Sequence, residues 1–350
     1  MDKLKDQTSL IAILFLLLLG AIYLFVYAPT TTNPLLSSQP QHCQSLNTTS
    51  SATVDSSGSD ALEAALAEAS RSNNKTVIIA IVNKAYVEGD DRSMLGLFLN
   101  SFWHGEGTRG LIDHLLLVAV DQTAFERCKF LRLHCYKLVT DGVEFDGEEV
   151  YMSDDFIKMM WRRTLFLGDV LKRGYNFIFM DTDVMWLRNP FSRLIQNDTV
   201  DLQISTDFFN GDQWSQSNPI NTGFYMIMSN NKTVSLFDSW YAKKDNSTGL
   251  KEQDVLNTMI HDEGVFQHLG LRVRFLDTLY FSGFCQDSRD VRAVTTVHSN
   301  CCRTINAKVT DLTSVIHDWK RFRAASLSSS PNETSAFSWS RHVACVDSWH

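Results

Sequence analysis

Residues 9–28 read SLIAILFLLLLGAIYLFVYA, a run of twenty positions without a single charge. A helix of that length rises about 30 Å, the thickness of a bilayer's hydrocarbon core. The pattern then inverts: residues 30–59 are rich in Ser, Thr, Gln, Asn and Pro and nearly devoid of bulky apolar side chains. Such a segment cannot bury enough surface to offset chain entropy, so it is expected to be disordered. From residue 60 onward short apolar runs alternate with amphipathic ones. The runs 76–82 (TVIIAIV), 115–120 (LLLVAV), 176–180 (NFIFM), 202–206, 223–229 and 271–276 predict strands. Helical periodicity and end signals predict helices over 60–70, 94–103, 153–173, 233–243, 251–261 and 311–323. Buried strands alternating with helices imply a mainly parallel sheet covered on both faces, hence one α/β domain over 60–350.

The charges around the apolar run orient it. Lys3 and Lys5 precede it, and no Lys or Arg follows until Arg71. The positive-inside rule then makes residues 1–8 a cytosolic tail, 9–28 a transmembrane signal anchor and 29–59 a luminal stem. A cleaved signal peptide is the rival reading, because Val26-Tyr27-Ala28 offers cleavage-compatible small residues. Against it, the run exceeds the usual signal core and Pro29 follows the cut. Sequons at Asn47, Asn74, Asn197, Asn231, Asn246 and Asn332 exceed the roughly three expected by chance and fit a secretory lumen. Disulfides are plausible there, but Cys128, Cys135, Cys285, Cys301, Cys302 and Cys345 allow about 15 pairings among which sequence cannot choose. Their spacing matches no zinc finger or ribbon, and Cys43 stands apart in the stem. Across 350 residues, 32 Lys plus Arg against 40 Asp plus Glu give a net charge of −8, which argues against a nucleic-acid-coating protein.

Two motifs compete as chemistry. Gly105-Glu106-Gly107-Thr108-Arg109-Gly110 has the letters of a dinucleotide fingerprint. That mechanism needs a strand before the glycines and a helix after them; here the order is reversed, so a loop explains it better. Asp181-Thr182-Asp183 is more informative. It follows the apolar run Phe177-Ile178-Phe179-Met180, so two carboxylates stand at the C-terminal end of a buried strand, where open α/β sheets place ligands. Two hard oxygen ligands one residue apart can hold a divalent cation that also grips phosphate oxygens. A turn in which one aspartate caps the next segment is the plainer alternative. A strand-end pair of this kind suits a haloacid-dehalogenase-type phosphatase or a metal-dependent glycosyltransferase of the GT-A type. The phosphatase opens its domain with this strand and needs a further acidic pair after another apolar strand; here a long stretch of the domain precedes the strand, and the adjacent Asp pairs, Asp90-Asp91 and Asp154-Asp155, lie upstream of it.

The string from Gly174 to Asp183, continued by Trp186, Arg188, Asn189, Pro190 and Phe191, resembles the plant nucleotide-diphospho-sugar transferase family, glycosyltransferase family 77. Further matching stretches are His134-Cys135-Tyr136, Met159-Met160-Trp161-Arg162, Asn221-Thr222-Gly223-Phe224, Glu252-Gln253-Asp254 and His298-Ser299-Asn300-Cys301-Cys302, so the likeness covers about residues 61–320. The resemblance implies a GT-A (Rossmann-like) fold, a Golgi location, Mn²⁺ or Mg²⁺, and retaining transfer from a nucleotide sugar such as a UDP-sugar. The acceptor would be a cell-wall glycan or glycoprotein, and the sugar a pentose such as xylose or arabinose.

The remaining candidates each have two readings. His298 can complete a metal shell with Asp181 and Asp183, as the resemblance also implies, or be a satisfied structural histidine. Asn221, Thr222 and Gly223 can bind the donor or form a turn. Gln253 and Asp254 can face the donor sugar and stabilise positive charge at its anomeric carbon, or merely meet a helix dipole. Arg162 or Arg163 can neutralise the diphosphate, or lie on a solvated helix face. Asn83 and Asp121, at the ends of the first two strands, are candidates for base or ribose contact, and Trp214 for stacking on a sugar. The expectation is a Golgi type II glycosyltransferase; a luminal metal-dependent phosphohydrolase and a non-catalytic glycan-binding protein are the alternatives.

Overall fold

The computed structural model describes residues 56–70, 75–89, 92–140, 145, 147–148, 151–327 and 337–350. The anticipated span 9–28, most of the stem, Cys43 and the sequons at Asn47, Asn74 and Asn332 lie outside the described residues. Among those described, no helix is long and apolar enough to cross a membrane. Helix α1 (Ser56–Ser70) begins before residue 60, so the last residues assigned to the stem are helical.

Strand β1 (Thr76–Val82) pairs in parallel with β2 (Leu115–Ala119) and with β4 (Asn176–Met180), and β3 (His134–Lys137) is parallel to β2. Strand β7 (Ile220–Ile227) runs antiparallel to β4 and to β6 (Leu202–Thr206), while β8 (Val273–Phe275) is parallel to β6. The order is β3-β2-β1-β4-β7-β6-β8, with β7 the single reversed strand. Successive side chains of β1 alternate between two apolar layers, as a period of two requires. Val77 and Ile79 enter one layer, and Ile78, Ala80 and Val82 the other. The first layer is closed by α1, α5 (Asp154–Lys172), α6 (Asn231–Ala242) and α7 (Glu252–His261). The second is closed by α3 (Met94–His104) and α9 (Ile305–Leu327), with Phe98, Phe102, Ile316 and Trp319 at its centre. The expected mixed α/β architecture is therefore present.

Two local features position the site. Helix α9 starts six positions earlier than its apolar stripe suggests, because Thr304 caps it: the Ala307 N–H donates to Thr304 Oγ1 at 3.3 Å. That extra turn carries Lys308. Gly105 ends α3 where the chain crosses β5 (Val184–Trp186); a Cβ there would stand 2.5 Å from the Trp186 carbonyl oxygen and from Thr108 Oγ1. The glycine-rich run thus serves helix–strand packing, and Trp186 stacks on Phe102 at 4.7 Å beside it. Strand β5 belongs to a small second sheet, β5-β10-β9, with β9 at Phe281–Gly283 and β10 at Thr296–His298.

The six folded-domain cysteines pair as Cys128–Cys135, Cys285–Cys301 and Cys302–Cys345. The last bond fastens helix α10 (Val343–Asp347) to the segment that follows β10, assisted by Asp311, whose Oδ2 accepts from the Cys345 N–H at 2.7 Å. Its partners are 43 residues apart, a loop whose closure constrains the unfolded chain by about 4 kcal/mol in the chain-entropy account. The double variant Cys302→Ser/Cys345→Ser should therefore lose about 4 kcal/mol of stability in urea melts. An unchanged midpoint would show that the bond does no more than decorate a segment already held by Asp311.

Candidate active site

Two strand ladders assemble the site. The β4–β7 register sets Met180 opposite Phe224, and the next residue, Asp181, donates its N–H to the Gly223 carbonyl at 2.8 Å. The β5–β10 register sets Val184 opposite His298, which brings His298 Nε2 to 3.3 Å from Asp183 Oδ1. The ligating atoms of Asp181, Asp183 and His298 all lie within 4.8 Å of one another. Gly223 keeps this space open: a Cβ there would collide with His298 Cε1 and come 2.8 Å from Asp181 Oδ2. A carboxylate oxygen facing an imidazole nitrogen needs a proton or a cation between them. Two hard oxygens and one imidazole suit Mn²⁺ or Mg²⁺, so the residues present fit the expected cation.

The other oxygen of Asp183 is already satisfied, by Lys308 Nζ at 2.8 Å and Ser299 Oγ at 2.9 Å. Burial alone would raise the Asp183 carboxyl, but the charges of Lys308 and His298 override it and hold it well below the usual carboxylate range. For Asp181 burial outweighs Arg163, and its carboxyl is pushed up. Burial acts to lower the His298 imidazole; the charge and hydrogen bond of Asp183 win and raise it.

Strand β7 divides its polar residues between its two faces. Thr222 turns towards α7: its N–H donates to Gln253 Oε1 at 2.9 Å, and its Oγ1 lies 2.9 Å from Glu252 Oε1. Asn221 turns the other way, donating from Nδ2 to Asp207 Oδ1 at 2.8 Å. Arg163, on α5, bridges two carboxylates, donating to Asp181 Oδ1 at 2.9 Å and to Glu252 Oε1 at 2.5 Å. Because Gln253 Oε1 is committed to Thr222, Gln253 presents its amide Nε2, a donor suited to a sugar oxygen rather than to a positive anomeric carbon.

Asn83, Asp181, Asp183, Asn221, Thr222, Gly223, Gln253 and His298 line one cavity at the C-terminal ends of β1 and β4. Asn83 is buried and donates to the Gly147 carbonyl at 2.7 Å, while its Oδ1 has no partner among the described residues. Four candidates stand outside the lining. Asp121 caps two helices, accepting from Ala124 N at the start of α4 (Gln122–Phe130) and from Lys84 N at the start of α2 (Lys84–Val87), at 2.8 and 2.5 Å. Its two oxygens are thus engaged with backbone rather than with a ribose. Arg162 points away, bonding Thr140 Oγ1 and the Val139 carbonyl; a step of one residue turns a helix by about 100°, and its neighbour Arg163 faces the cavity instead. Asp254 lies beyond the lining, its carboxyl raised by partial burial, and Trp214 lies on an exposed loop. Sequence reasoning gave no role to Glu252, Lys308, Asp207 or Asn300, all of which line the cavity. Of the sequons described, Asn197, Asn231 and Asn246 are exposed.

The family model for nucleotide-diphospho-sugar transferases matches residues 110–312. An uncharacterized Arabidopsis thaliana protein is 59% identical over 295 residues, covering 83% of this chain and 85% of its own. A second uncharacterized Arabidopsis thaliana protein is 39% identical over 277 residues, with 79% of this chain and 71% of its own length covered. The Arabidopsis thaliana UDP-D-xylose:L-fucose alpha-1,3-D-xylosyltransferase 3 is 26% identical over 184 residues, 52% of this chain and 45% of its own. With the site at the end of β4 falling inside the matched region, the chain belongs to the nucleotide-diphospho-sugar transferase family and is a glycosyltransferase.

Proposed function

We propose that the cavity binds a UDP-pentose, with Mn²⁺ or Mg²⁺ held by Asp181, Asp183 and His298, and transfers the sugar with retention to a glycan or glycoprotein in the Golgi lumen. The convergence of those three ligands around the space that Gly223 leaves open carries this reading. The pentose follows the xylosyltransferase relative, whose name specifies UDP-xylose. The luminal location follows the uncharged run 9–28, its basic flank, the exposed sequons and the three disulfides. A phosphohydrolase is not retained, since the family matched is one of sugar transferases.

A bound divalent cation would neutralise the diphosphate as it leaves. Lys308 adds a fixed positive charge beside the same carboxylate, and Arg163 is held by Glu252 and Asp181 where it can meet donor oxygens. Gln253 Nε2 is placed to hold a hydroxyl of the donor sugar. With retention, the acceptor hydroxyl attacks the face from which the diphosphate departs and passes its proton to a diphosphate oxygen, so no separate side-chain base is required. Full-length protein in detergent, incubated with a panel of UDP-sugars, should release UDP with one sugar preferentially, and chelator should stop it. A folded protein that releases UDP from none of them would end this reading, and a protein fully digested in sealed vesicles without detergent would end the topology.

The pH dependence has a definite sign. The folded pKa of His298 lies above its ordinary value of 6.5, so in metal-free protein its pairing with Asp183 stabilises most below that value and fades as pH rises through the raised one. A metal needs the neutral imidazole, so Mn²⁺ affinity should grow over that same window. The rise in melting temperature given by Mn²⁺ should accordingly be small at about pH 6 and large at about pH 8. An increment independent of pH would remove His298 from the ligand set.

A further inference from the structure

One wall of the cavity has no part in holding the donor as proposed. It is a continuous chain of bonded groups. Asp207 Oδ1 accepts from Nδ2 of both Asn221 and Asn300 at 2.8 Å. Asn300 Oδ1 accepts from the Cys285 N–H at 3.1 Å, Cys285 is bridged to Cys301, and the Cys301 carbonyl accepts from Trp349 Nε1 at 2.9 Å. Asp207, Asn300, Cys301 and Trp349 all line the cavity.

Two features of this wall ask for a ligand. The carboxylate of Asp207 has one oxygen saturated by two amides, while Oδ2 makes no hydrogen bond among the described residues. Two amides gripping one oxygen fix where the other points. Trp349 is 45% exposed, yet it is not loose: its N–H is tied to Cys301, and the Arg303 guanidinium lies 4.0 Å from its ring centroid. An immobilised aromatic face at a cavity mouth, joined to an oriented carboxylate, matches a pyranose, which has an apolar C–H face and an edge of hydroxyl donors. The wall is reached through Asn221, on the opposite face of β7 from Thr222 and its partners Gln253 and Glu252. The wall therefore shares no side chain with the groups assigned to the donor.

We propose that this wall is the acceptor subsite: Trp349 stacks against the pyranose ring of the acceptor's terminal residue, and Asp207 Oδ2 accepts a hydrogen bond from one of its hydroxyls. The inference rests on the transferase reading and adds to it the class of acceptor terminus.

Saturation-transfer NMR on the full-length protein with UDP and Mn²⁺ tests this, with methyl α-L-fucopyranoside, methyl β-D-galactopyranoside and methyl β-D-xylopyranoside as probes. Calorimetry with UDP and Mn²⁺ and a melting temperature accompany each variant. At least one pyranoside should receive saturation mainly on one ring face. Trp349→Ala should weaken it at least about ten-fold, Trp349→Phe should restore most of the binding, and Asp207→Asn should weaken it several-fold, with UDP affinity near parental for both Trp349 variants. The proposal fails if the parental protein binds UDP but none of the pyranosides, if Trp349→Ala binds them as the parent does, or if UDP and pyranoside affinity fall together in that variant. Failure of the parental protein to bind UDP would instead overturn the transferase reading itself.

Discussion

Replacing Asp183 by asparagine is expected to abolish sugar transfer and to erase the thermal stabilisation that Mn²⁺ with UDP gives the parental protein. The side chain is nearly inaccessible, and its two oxygens have different duties: Oδ1 faces His298 Nε2 at 3.3 Å, and Oδ2 receives Lys308 at 2.8 Å. A neutral amide is a poor ligand for a hard divalent cation, so the Oδ1 duty is lost outright. The Oδ2 duty is lost in part, because an amide oxygen can still accept from Lys308 without balancing its charge. Breaking a buried ion pair costs about 3–5 kcal/mol when one charge is stranded, so this variant should be destabilised by somewhat less, up to about 3 kcal/mol.

A lowered melting temperature alone therefore does not distinguish a metal ligand from a structural anchor at this position. The increment on adding Mn²⁺ and UDP does. In Asp183→Asn it should vanish. In Lys308→Met, which breaks the same ion pair but leaves all three ligands, the protein should melt lower and still respond to Mn²⁺. If Asp183→Asn transfers sugar at the parental rate in the presence of chelator, the metal-dependent mechanism is wrong.

Asp183 was legible because a buried strand announces itself: four large apolar residues, 177–180, run straight into two carboxylates. His298 was a weaker candidate, carried by its chemistry and the resemblance, since β10 is three residues long and too short to show any period. The polar trio Asn221-Thr222-Gly223 admitted a turn because short polar residues usually end a strand. In the folded protein all eight positions of β7 are buried; Asn221 Oδ1 does accept locally from the Gly223 N–H, but the trio's other side-chain bonds reach Asp207, Glu252 and Gln253, fourteen or more residues away. No local pattern encodes those distant bonds.

Two cations, Lys308, which was missed, and Arg163, which was offered only beside Arg162, did leave a trace. Arg163 shares a helix face with Phe166, Leu167 and Val170, and Lys308 one with Leu312, Val315 and Trp319, so each is the charge on an otherwise apolar stripe. A charge on a buried stripe needs a buried partner, and the only question sequence leaves open is which one. Disulfide pairing stays illegible for a related reason: Cys301 and Cys302 are adjacent in sequence, yet their partners lie 16 and 43 residues away on different elements.

The largest effect on stability should come from Arg163→Met. Arg163 is 7% exposed and Glu252 1%, and the guanidinium is the only charged partner of that carboxylate among the described residues. Removing it strands Glu252 with the Thr222 hydroxyl and takes the cation from Asp181, whose pKa burial already pushes up. The expected loss is about 3–5 kcal/mol at neutral pH, together with transfer activity. Its pH signature is distinctive. With its cation gone, the Asp181 carboxyl, which burial already raises, is held further above its unfolded pKa, so the penalty grows as pH rises past the unfolded value and shrinks as pH falls towards it. Urea melts of the variant should therefore approach the parent's at about pH 5 and diverge from it at about pH 8. The double variant Arg163→Met/Glu252→Gln removes both charges and should recover more than half of the lost stability while remaining inactive. If the single and double variants are equally unstable at every pH, the loss comes from packing of the long arginine side chain over Phe179, and the ion pair carries none of it.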